Sequence, residues 1–314
     1  MNGTSLARVS TRCLLEIHKI DFHDFVTIQS ASILMCVVNS LSAVLAVTAN
    51  GLIIISICKT PSLRSPPNLL ICFLAITDFL SGLITQPAFV LDKVARLKFE
   101  ENLFCISALT TFVSGYVSSG VSFLTLSAIS TERLLALKLH LRYPQYVTNR
   151  RVLIVEASIW TVCCLAVLLP FLGYMNVFQI MLAIFGVTSL FINLITYCVI
   201  FRVVKKHQQR VQMEIQLAGH FHGPNAREMR NLKHSSWTLA FICFLYFLCY
   251  VPFIAIKISE SFSVESSSSE RVLAQEVNET LILVTACINP VVYFYRLSDL
   301  RRSVLNAVNS VWFA

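Results

Sequence analysis

The amino-acid sequence predicts an all-α membrane protein, a seven-transmembrane helix bundle followed by a short amphipathic eighth helix. Hydrophobic residues make up 56% of the 314 residues and charged residues only 13%, which is too apolar for a water-soluble domain of this length. A spanning helix needs about 20 apolar residues, and nearly uncharged segments recur at 25–58, 65–91, 102–131, 157–201, 235–256 and 280–295. The segment 157–201 is long enough to span twice, so seven helices are expected.

The distribution of positive charge predicts the orientation. Most of the 25 Lys and Arg residues fall into four clusters, at 59–64, 133–151, 202–233 and 296–302. All four lie on one side of a seven-helix arrangement, and short loops rich in Lys and Arg remain in the cytoplasm. We therefore predict a multi-pass plasma-membrane protein with an extracellular N-terminus. The chain has a net charge of +8. In this orientation its basic clusters face the membrane lipids of the inner leaflet, so no nucleic acid is expected as a partner.

Three regions follow from this pattern. Residues 1–29 form an extracellular N-terminal segment, 30–296 the seven-transmembrane domain, and 297–314 an amphipathic helix with a short cytoplasmic tail. In the last region, apolar residues recur at helical spacing beside Arg301 and Arg302. That pattern is typical of a helix that lies on a membrane surface.

The outer side carries two candidate covalent features. Asn2 begins the sequon Asn2-Gly3-Thr4, which predicts N-glycosylation of an extracellular segment. Of the 11 cysteines, Cys13 and Cys105 are the pair expected outside, where disulfides persist. A Cys13–Cys105 bridge is therefore one pairing that the sequence permits, although two cysteines on the same side need not be neighbours.

Polar residues occur deep within the predicted helices. Asn50 lies in the first helix, about 30–58, and Asp78 lies in the second, about 66–91, far from either charged end. A carboxylate in lipid is costly, so it marks a functional site unless it is protonated and hydrogen-bonded to a neighbour. Asp78 and Asn289 would also suit the permeation path of a transporter or channel. No internal repeat supports that alternative.

Two further motifs lie at the inner ends of helices. The third helix, about 102–136, ends in Glu132-Arg133, which by itself could be a plain interfacial salt bridge. The seventh contains Asn289-Pro290 followed by Tyr293. Pro290 removes a backbone donor and clashes with the carbonyl four residues earlier, so neighbouring helices must compensate for it.

In combination these motifs resemble the rhodopsin-like, or class A, G-protein-coupled receptors. The matching elements occur in the family's order, namely Asn50, Leu74 to Asp78, Glu132-Arg133, Trp160, Pro252 and Asn289 to Tyr293. The resemblance implies a receptor and not an enzyme, which passes the binding of an unidentified extracellular ligand to a heterotrimeric G protein. A membrane transporter or channel, and a receptor-like protein that no longer signals, remain the alternatives.

The resemblance also implies roles for individual residues. The residues matched to coupling and activation are Glu132, Arg133, Tyr197, Tyr250, Pro252, Asn289, Pro290 and Tyr293. The core polar cluster, which holds a sodium ion in many members, is matched by Asn50, Asp78, Ser122 and Asn289. Sodium at Asp78, as an allosteric modulator, is thus the one ion expected, and no other cofactor is implied.

Several departures from the common class A pattern indicate which branch of the family the chain resembles. The connection between the fourth and fifth helices has only a few residues around Gly173, without cysteine, and the fifth helix has no proline near Ser189. These features resemble the melanocortin receptors. The stretch Leu139 to Tyr143 and the ending Tyr295-Arg296 resemble the adenosine receptors. The chain is therefore similar to a melanocortin- and adenosine-receptor-like cluster.

The residues in the outer halves of the helices restrict the chemical class of the ligand. No carboxylate occurs at 112–116, where amine receptors hold one, and no lysine occurs at 272–295, where retinal would be attached. Candidate pocket residues are Asp92, Gly115, Lys257, Glu276 and Glu279. Lys257 suits an acidic or nucleoside-like molecule, unless it forms an ion pair with the two glutamates at the wet rim. Glu156 is expected to reach Arg150 or Arg151 at the inner edge of the fourth helix.

Overall fold

The computed structural model describes residues 22–98, 100–139, 142–218, 247–256, 269–296, 301–302 and 304. These residues contain no β-strand and confirm the all-α class. The seven helices of the bundle are α1 (Phe22–Lys59), α2 (Pro66–Lys98), α3 (Glu101–Leu139), α4 (Asn149–Ala166), α5 (Met175–Ala218), α6 (described over Phe247–Ile256) and α7 (Ser269–Arg296). Six of them are long and apolar enough to cross a membrane, and the described part of α6 is apolar but shorter.

Several helices are longer than their apolar segments. α1 begins at Phe22 instead of near residue 30, and α2 continues to Lys98 instead of ending near 91. A helix satisfies its own backbone hydrogen bonds, so it can continue past the hydrocarbon boundary where the side chains become charged. The predicted eighth helix lies almost wholly outside the described residues, of which Arg301, Arg302 and Val304 are helical.

The middle of α2 contains one π-helical turn, Ser81–Thr85, which the sequence did not predict. Gly82 lies in this turn, against α1. A Cβ atom added to Gly82 would lie 2.9 Å from the Cβ of Ala46 and 3.0 Å from the carbonyl oxygen of Ala43. The close approach of α1 and α2 therefore depends on a glycine at this position.

The connection between α4 and α5 is as short as the sequence predicts. A 3-10 turn, Leu169–Leu172, ends at Gly173, whose φ of 83° lies in the left-handed region. Glycine adopts that conformation without a steric penalty. α5 then begins at Met175, so little chain is available to cover this part of the bundle.

The core lies where α1, α2, α3, α6 and α7 meet. Its largest buried side chains include Ile53, Leu74, Leu126, Tyr250 and Tyr293. The outward faces of the helices are also apolar, as with the exposed side chains of Phe191, Leu194 and Ile195 on α5. A bundle that is apolar both inside and outside is one whose outer solvent is lipid.

Candidate functional site

The centre of the bundle holds a buried carboxylate. Asp78 of α2 is 3% exposed. The Asn289 amide nitrogen donates a hydrogen bond to Asp78 Oδ2 at 2.8 Å, and the Ser122 hydroxyl donates to Oδ1 at 3.3 Å. The structure thus joins α2, α3 and α7 through three of the four residues predicted for the core.

The fourth residue, Asn50, ties α1 to α7. Its amide nitrogen donates to the carbonyl oxygens of Ala286 and Ala46, each at 2.9 Å. Its Oδ1 atom is buried and has no hydrogen-bond partner within the described residues. A buried acceptor of this kind is normally satisfied by water or a cation.

The donor set of the core suits a small hard cation. Carboxylate, hydroxyl and amide oxygens are available from Asp78, Ser122, Asn50 and Asn289. Oxygen ligands of this type favour hard ions such as the alkali and alkaline-earth cations. The described residues hold no group of three or more His, Cys, Asp or Glu side chains that could bind a metal ion. A core with one carboxylate is better matched to a monovalent ion than to a transition metal.

The inner end of α3 carries the second site. Arg133 Nε lies 3.2 Å from Glu132 Oε2, and the side chain of Arg133 is 22% exposed, against 4% for Glu132. The Tyr143 hydroxyl donates to Glu132 Oε1 at 2.5 Å. Burial, followed by this hydrogen bond to Glu132, raises the pKa of Tyr143 far above its usual value. Glu132 is therefore ion-paired with Arg133 and hydrogen-bonded to Tyr143.

Tyr143 is a residue that the sequence reasoning missed. It begins the short helical turn Tyr143–Tyr146, with Pro144 as its second residue. A Tyr-Pro pair is typical of a turn, but nothing in its spacing indicates that the tyrosine side chain contacts α3.

Most of the other residues matched to activation lie in the interior of the bundle. The hydroxyls of Tyr197 and Ser130 lie 3.0 Å apart, which links α5 to α3. The Tyr250 hydroxyl donates to the Ser119 carbonyl oxygen at 3.0 Å, and the ring of Tyr250 stacks on Phe123 at 4.6 Å. Pro290 and Tyr293 in α7 are also buried, whereas Pro252 in α6 is exposed.

The outer half of the bundle contains an aromatic cluster, formed by Phe112, Tyr116, Phe171, Phe178 and Phe253. The ring of Tyr116 lies 4.8 Å from that of Phe112, 5.1 Å from that of Phe178 and 6.2 Å from that of Phe253. Phe171 lies 6.5 Å from Phe112. α3, α5, α6 and the 3-10 turn after α4 thus meet at aromatic side chains. The predicted pocket residue Gly115 adjoins this cluster in sequence.

The acidic pocket candidates lie elsewhere and are already engaged. Asp92 and Glu276 are buried, and each forms an ion pair with Lys93, at 3.3 Å and 2.7 Å. Glu279 is half-buried, and Lys257 lies outside the described residues. A ligand role for these residues stays a prediction. Lys93 was missed because the predicted second helix ended at residue 91.

The expectation for Glu156 is wrong. Its side chain is fully buried, and Oε2 accepts a hydrogen bond from the Thr125 hydroxyl at 3.0 Å. Arg151 instead donates to the carbonyl oxygens of Gln145 and Tyr146. The error lies in the helical phase, because Val152 and Glu156 are four residues apart and share the buried face of α4.

The covalent features of the outer side are only partly within the described residues. Cys105 is disulfide-bonded, whereas its predicted partner Cys13 lies outside them. The pairing Cys13–Cys105 therefore stays a prediction, as does glycosylation of Asn2, which also lies outside. The other described cysteines are free thiols.

Comparison with known proteins agrees with this architecture. The sequence profile of the family described as "7 transmembrane receptor (rhodopsin family)" matches residues 49–179 and 173–293. Adenosine receptor A2b of Canis lupus familiaris is 27% identical over 294 residues, which cover 82% of this chain and 84% of that receptor. Cannabinoid receptor 1 of Xenopus laevis is 25% identical over 296 residues, covering 85% of this chain and 62% of that receptor.

The profile match assigns this seven-helix bundle to a class of membrane receptors. The chain belongs to the rhodopsin family of seven-transmembrane receptors. It is a receptor and not an enzyme, and the predicted resemblance to adenosine receptors is confirmed. The chain spans 62% of the length of the Xenopus cannabinoid receptor, and more of the adenosine receptors.

Proposed function

We propose that this receptor responds to an extracellular small molecule by activating a heterotrimeric G protein at its inner face. Binding outside shifts a pre-existing equilibrium toward a state whose inner end accepts the G protein. The observation that carries this proposal is the Glu132–Arg133 ion pair at the inner end of α3. Within the described residues Arg133 is partly exposed and forms an ion pair with one carboxylate, so it can be released without breaking the bundle.

The tyrosines and the core polar residues provide a route between the two faces. Asp78 and Asn289 join α2 to α7, and Tyr250 joins α6 to α3 below the aromatic cluster. Pro252 in α6 and Pro290 in α7 each remove one backbone hydrogen bond, so these helices can bend there at low cost. Movement of α6 and α7 would then reach Arg133 from the outer half.

The ligand that suits the outer half is an uncharged or weakly polar molecule with rings. The aromatic cluster offers ring faces and edges at 4.8–6.5 Å from one another, and aromatic side chains bind flat rings through such contacts. The relatives are named for adenosine, a nucleoside, and for cannabinoids. A nucleoside-like molecule or another ring-containing small molecule fits this chemistry, whereas an amine lacks a carboxylate to pair with.

Phe178→Ala should remove the binding of such a ligand. Phe178 is buried and contacts both Phe112 and Tyr116, so truncation removes stacking area and opens a gap in the cluster. We expect a compound that raises the unfolding temperature of the wild-type receptor to lose that effect on this variant. Phe191→Ala is the matched control, because Phe191 faces lipid and is 63% exposed. An unchanged temperature shift in Phe178→Ala would place the ligand elsewhere.

Sodium is proposed as an allosteric modulator bound at Asp78. Asp78, Ser122, Asn289 and the unpartnered Oδ1 of Asn50 would supply its oxygen ligands. The ion would supply positive charge to a buried carboxylate, and so favour the packing of the resting bundle.

The receptor is proposed to reside in the plasma membrane with its N-terminus outside. The positive clusters that include Arg142, Arg150 and Arg202 then face the cytoplasm and the anionic inner leaflet. In this orientation Arg133 would lie at the face where G proteins reside.

Guanine-nucleotide exchange tests the proposal directly. Membranes that carry the chain are compared with empty membranes, across a panel of G-protein α subunits. The proposal predicts faster exchange on at least one subunit, with or without a ring-containing ligand. Ion or solute flux across the same membranes, without nucleotide exchange, would instead support a transporter or channel.

A further inference from the structure

The outer ends of α2 and α7 are joined by buried charges. This outer charge cluster consists of Asp92, Lys93 and Arg96 of α2 and Glu276 of α7, all at most 5% exposed. Lys93 Nζ lies 2.7 Å from Glu276 Oε1 and 3.3 Å from Asp92 Oδ2. Arg96 lies 3.0 Å from Asp92 Oδ2. Two cations and two carboxylates therefore balance one another, away from solvent.

The surroundings of the cluster favour charges that are paired with each other. Lys93 Nζ lies 4.7 Å from the ring centre of Phe89, and the Arg96 guanidinium lies 5.0 Å from that of Phe104. Such positions add cation–π attraction. The Ser32 hydroxyl of α1 donates to Glu276 Oε2 at 2.9 Å, so both carboxylate oxygens of Glu276 are engaged. A third helix is thereby included in the contact.

The Lys93–Glu276 pair lies farther out than two other polar contacts between α2 and α7. Gln86 Nε2 donates to the Leu283 carbonyl oxygen at 2.9 Å in the middle, and Asn289 donates to Asp78 at 2.8 Å in the core. Successive contacts are separated by about two helical turns on both helices. They therefore fix the axial position of α7 on α2 along most of the membrane.

We propose that Lys93 and Glu276 form an outer lock, which sets the resting position of α7 and restrains ligand-independent signalling. The two act as positioning residues, because neither touches the aromatic cluster nor the Glu132–Arg133 pair within the described contacts. The inference rests on the proposed G-protein activation. It adds a restraint on the helix that carries Asn289, Pro290 and Tyr293.

Electrostatics explains why this pair can restrain a helix although many ion pairs cannot. A buried pair is attracted through a medium of low dielectric, and water cannot replace either partner without entering the bundle. Sliding or tilting α7 by more than about an ångström would separate Lys93 from Glu276, so that Glu276 would be buried without its cation and Lys93 would keep only Asp92 as a partner. The resting state, in which Glu132 still holds Arg133, is therefore the state that the lock favours.

The test uses neutral, similarly shaped replacements in a double-mutant cycle. Lys93→Met, Glu276→Gln and the double variant are compared with the wild type for two quantities, ligand-independent nucleotide exchange and thermal unfolding temperature. We expect each single variant to raise the rate of ligand-independent exchange by about fivefold. The contact is made only in the resting state, so its loss increases the small fraction of receptors in the active state. Each single variant should also unfold at a lower temperature, since the buried cluster then carries one charge that is not balanced.

The double variant separates positioning from stability. Removing both charges leaves neither unpaired, so the unfolding temperature should return most of the way to the wild-type value. Exchange should remain about fivefold elevated, because the lock is still absent. If exchange in the double variant returns to the wild-type value together with stability, the pair acts only on folding and the proposal is overturned.

Control variants distinguish the effect of the Lys93–Glu276 pair from that of nearby charges, and the lock from the proposed G-protein activation. Lys98→Met and Glu100→Gln remove the same charges from exposed positions nearby, and should leave exchange unchanged. Adding Arg133→Ala to Glu276→Gln should abolish the elevated exchange. Absence of exchange in every variant, with coupling between Lys93 and Glu276 still visible in unfolding temperature, would overturn the proposed function while leaving their contact intact. Absence of that coupling would overturn the lock itself.

Discussion

Replacing Asp78 with alanine should abolish any effect of sodium on nucleotide exchange and reduce ligand-stimulated exchange by about tenfold or more, a change of roughly 1.4 kcal/mol in the balance of states. Alanine removes the one carboxylate of the core and leaves the Asn289 amide and the Ser122 hydroxyl without their acceptor. An unsatisfied buried polar group costs about 1–3 kcal/mol. The measurement is the exchange rate when sodium is replaced by a larger organic cation at constant ionic strength. In the wild-type receptor we expect sodium to slow ligand-independent exchange.

Two control variants separate the charge from the shape of Asp78. Asp78→Asn keeps the volume but removes the charge, so it should also lose the sodium effect. Ser122→Ala removes only the longer hydrogen bond, at 3.3 Å, so it should keep a weakened sodium effect. A normal sodium effect in Asp78→Asn would show that the ion does not bind at this carboxylate.

Replacing Gly82 with alanine should strongly reduce the amount of folded receptor. Its new Cβ would lie 2.9 Å from the Ala46 Cβ and 3.0 Å from the Ala43 carbonyl oxygen, and neither atom can rotate away. Overpacking of a tight interface costs about 1–3 kcal/mol, which is a large part of the stability of a small domain. We expect a lower unfolding temperature and a lower yield from the membrane.

Gly51→Ala provides the matched control for Gly82. A Cβ at Gly51 would lie 3.5 Å from the nearest atom, on the ring of Phe79, which is an ordinary van der Waals contact. Alanine at this helical position should therefore be tolerated, with a gain in helix propensity. Equal loss of folded protein in both variants would contradict the close approach of α1 and α2 at Gly82.

The fold was predictable because the bilayer imposes strong rules on a chain. Long uncharged segments, clusters of Lys and Arg in alternate loops, and the order of the motifs are local properties of the sequence. The core contact of Asp78 with Ser122 and Asn289 was predictable in the same way, once the motifs were placed on a known bundle. The short connection around Gly173 followed from counting residues.

Features that depend on helical phase and on distant neighbours could not be predicted in this way. Glu156 faces Thr125 and not the inner edge, because the phase of α4 turns it inward. Lys93 pairs with Glu276 across 183 residues of chain, and the hydropathy of residues 92–98 indicated a loop. Tyr143 reaches Glu132 only because its short helical turn lies against α3. Each of these contacts arises from tertiary packing, which has no local sequence signature.

Arg133 is the residue proposed to connect this bundle to a G protein. The most direct test fuses each α subunit of the panel to the C-terminus of the receptor, so that the high local concentration reveals even a minor active population. The exchange rate of the wild-type fusion is compared with that of Arg133→Ala, with exposed Arg142→Ala as the control. We predict that at least one wild-type fusion exchanges nucleotide several times faster than its Arg133→Ala counterpart, while Arg142→Ala retains most of the rate. Equal rates for the wild type and Arg133→Ala on every α subunit would contradict the account.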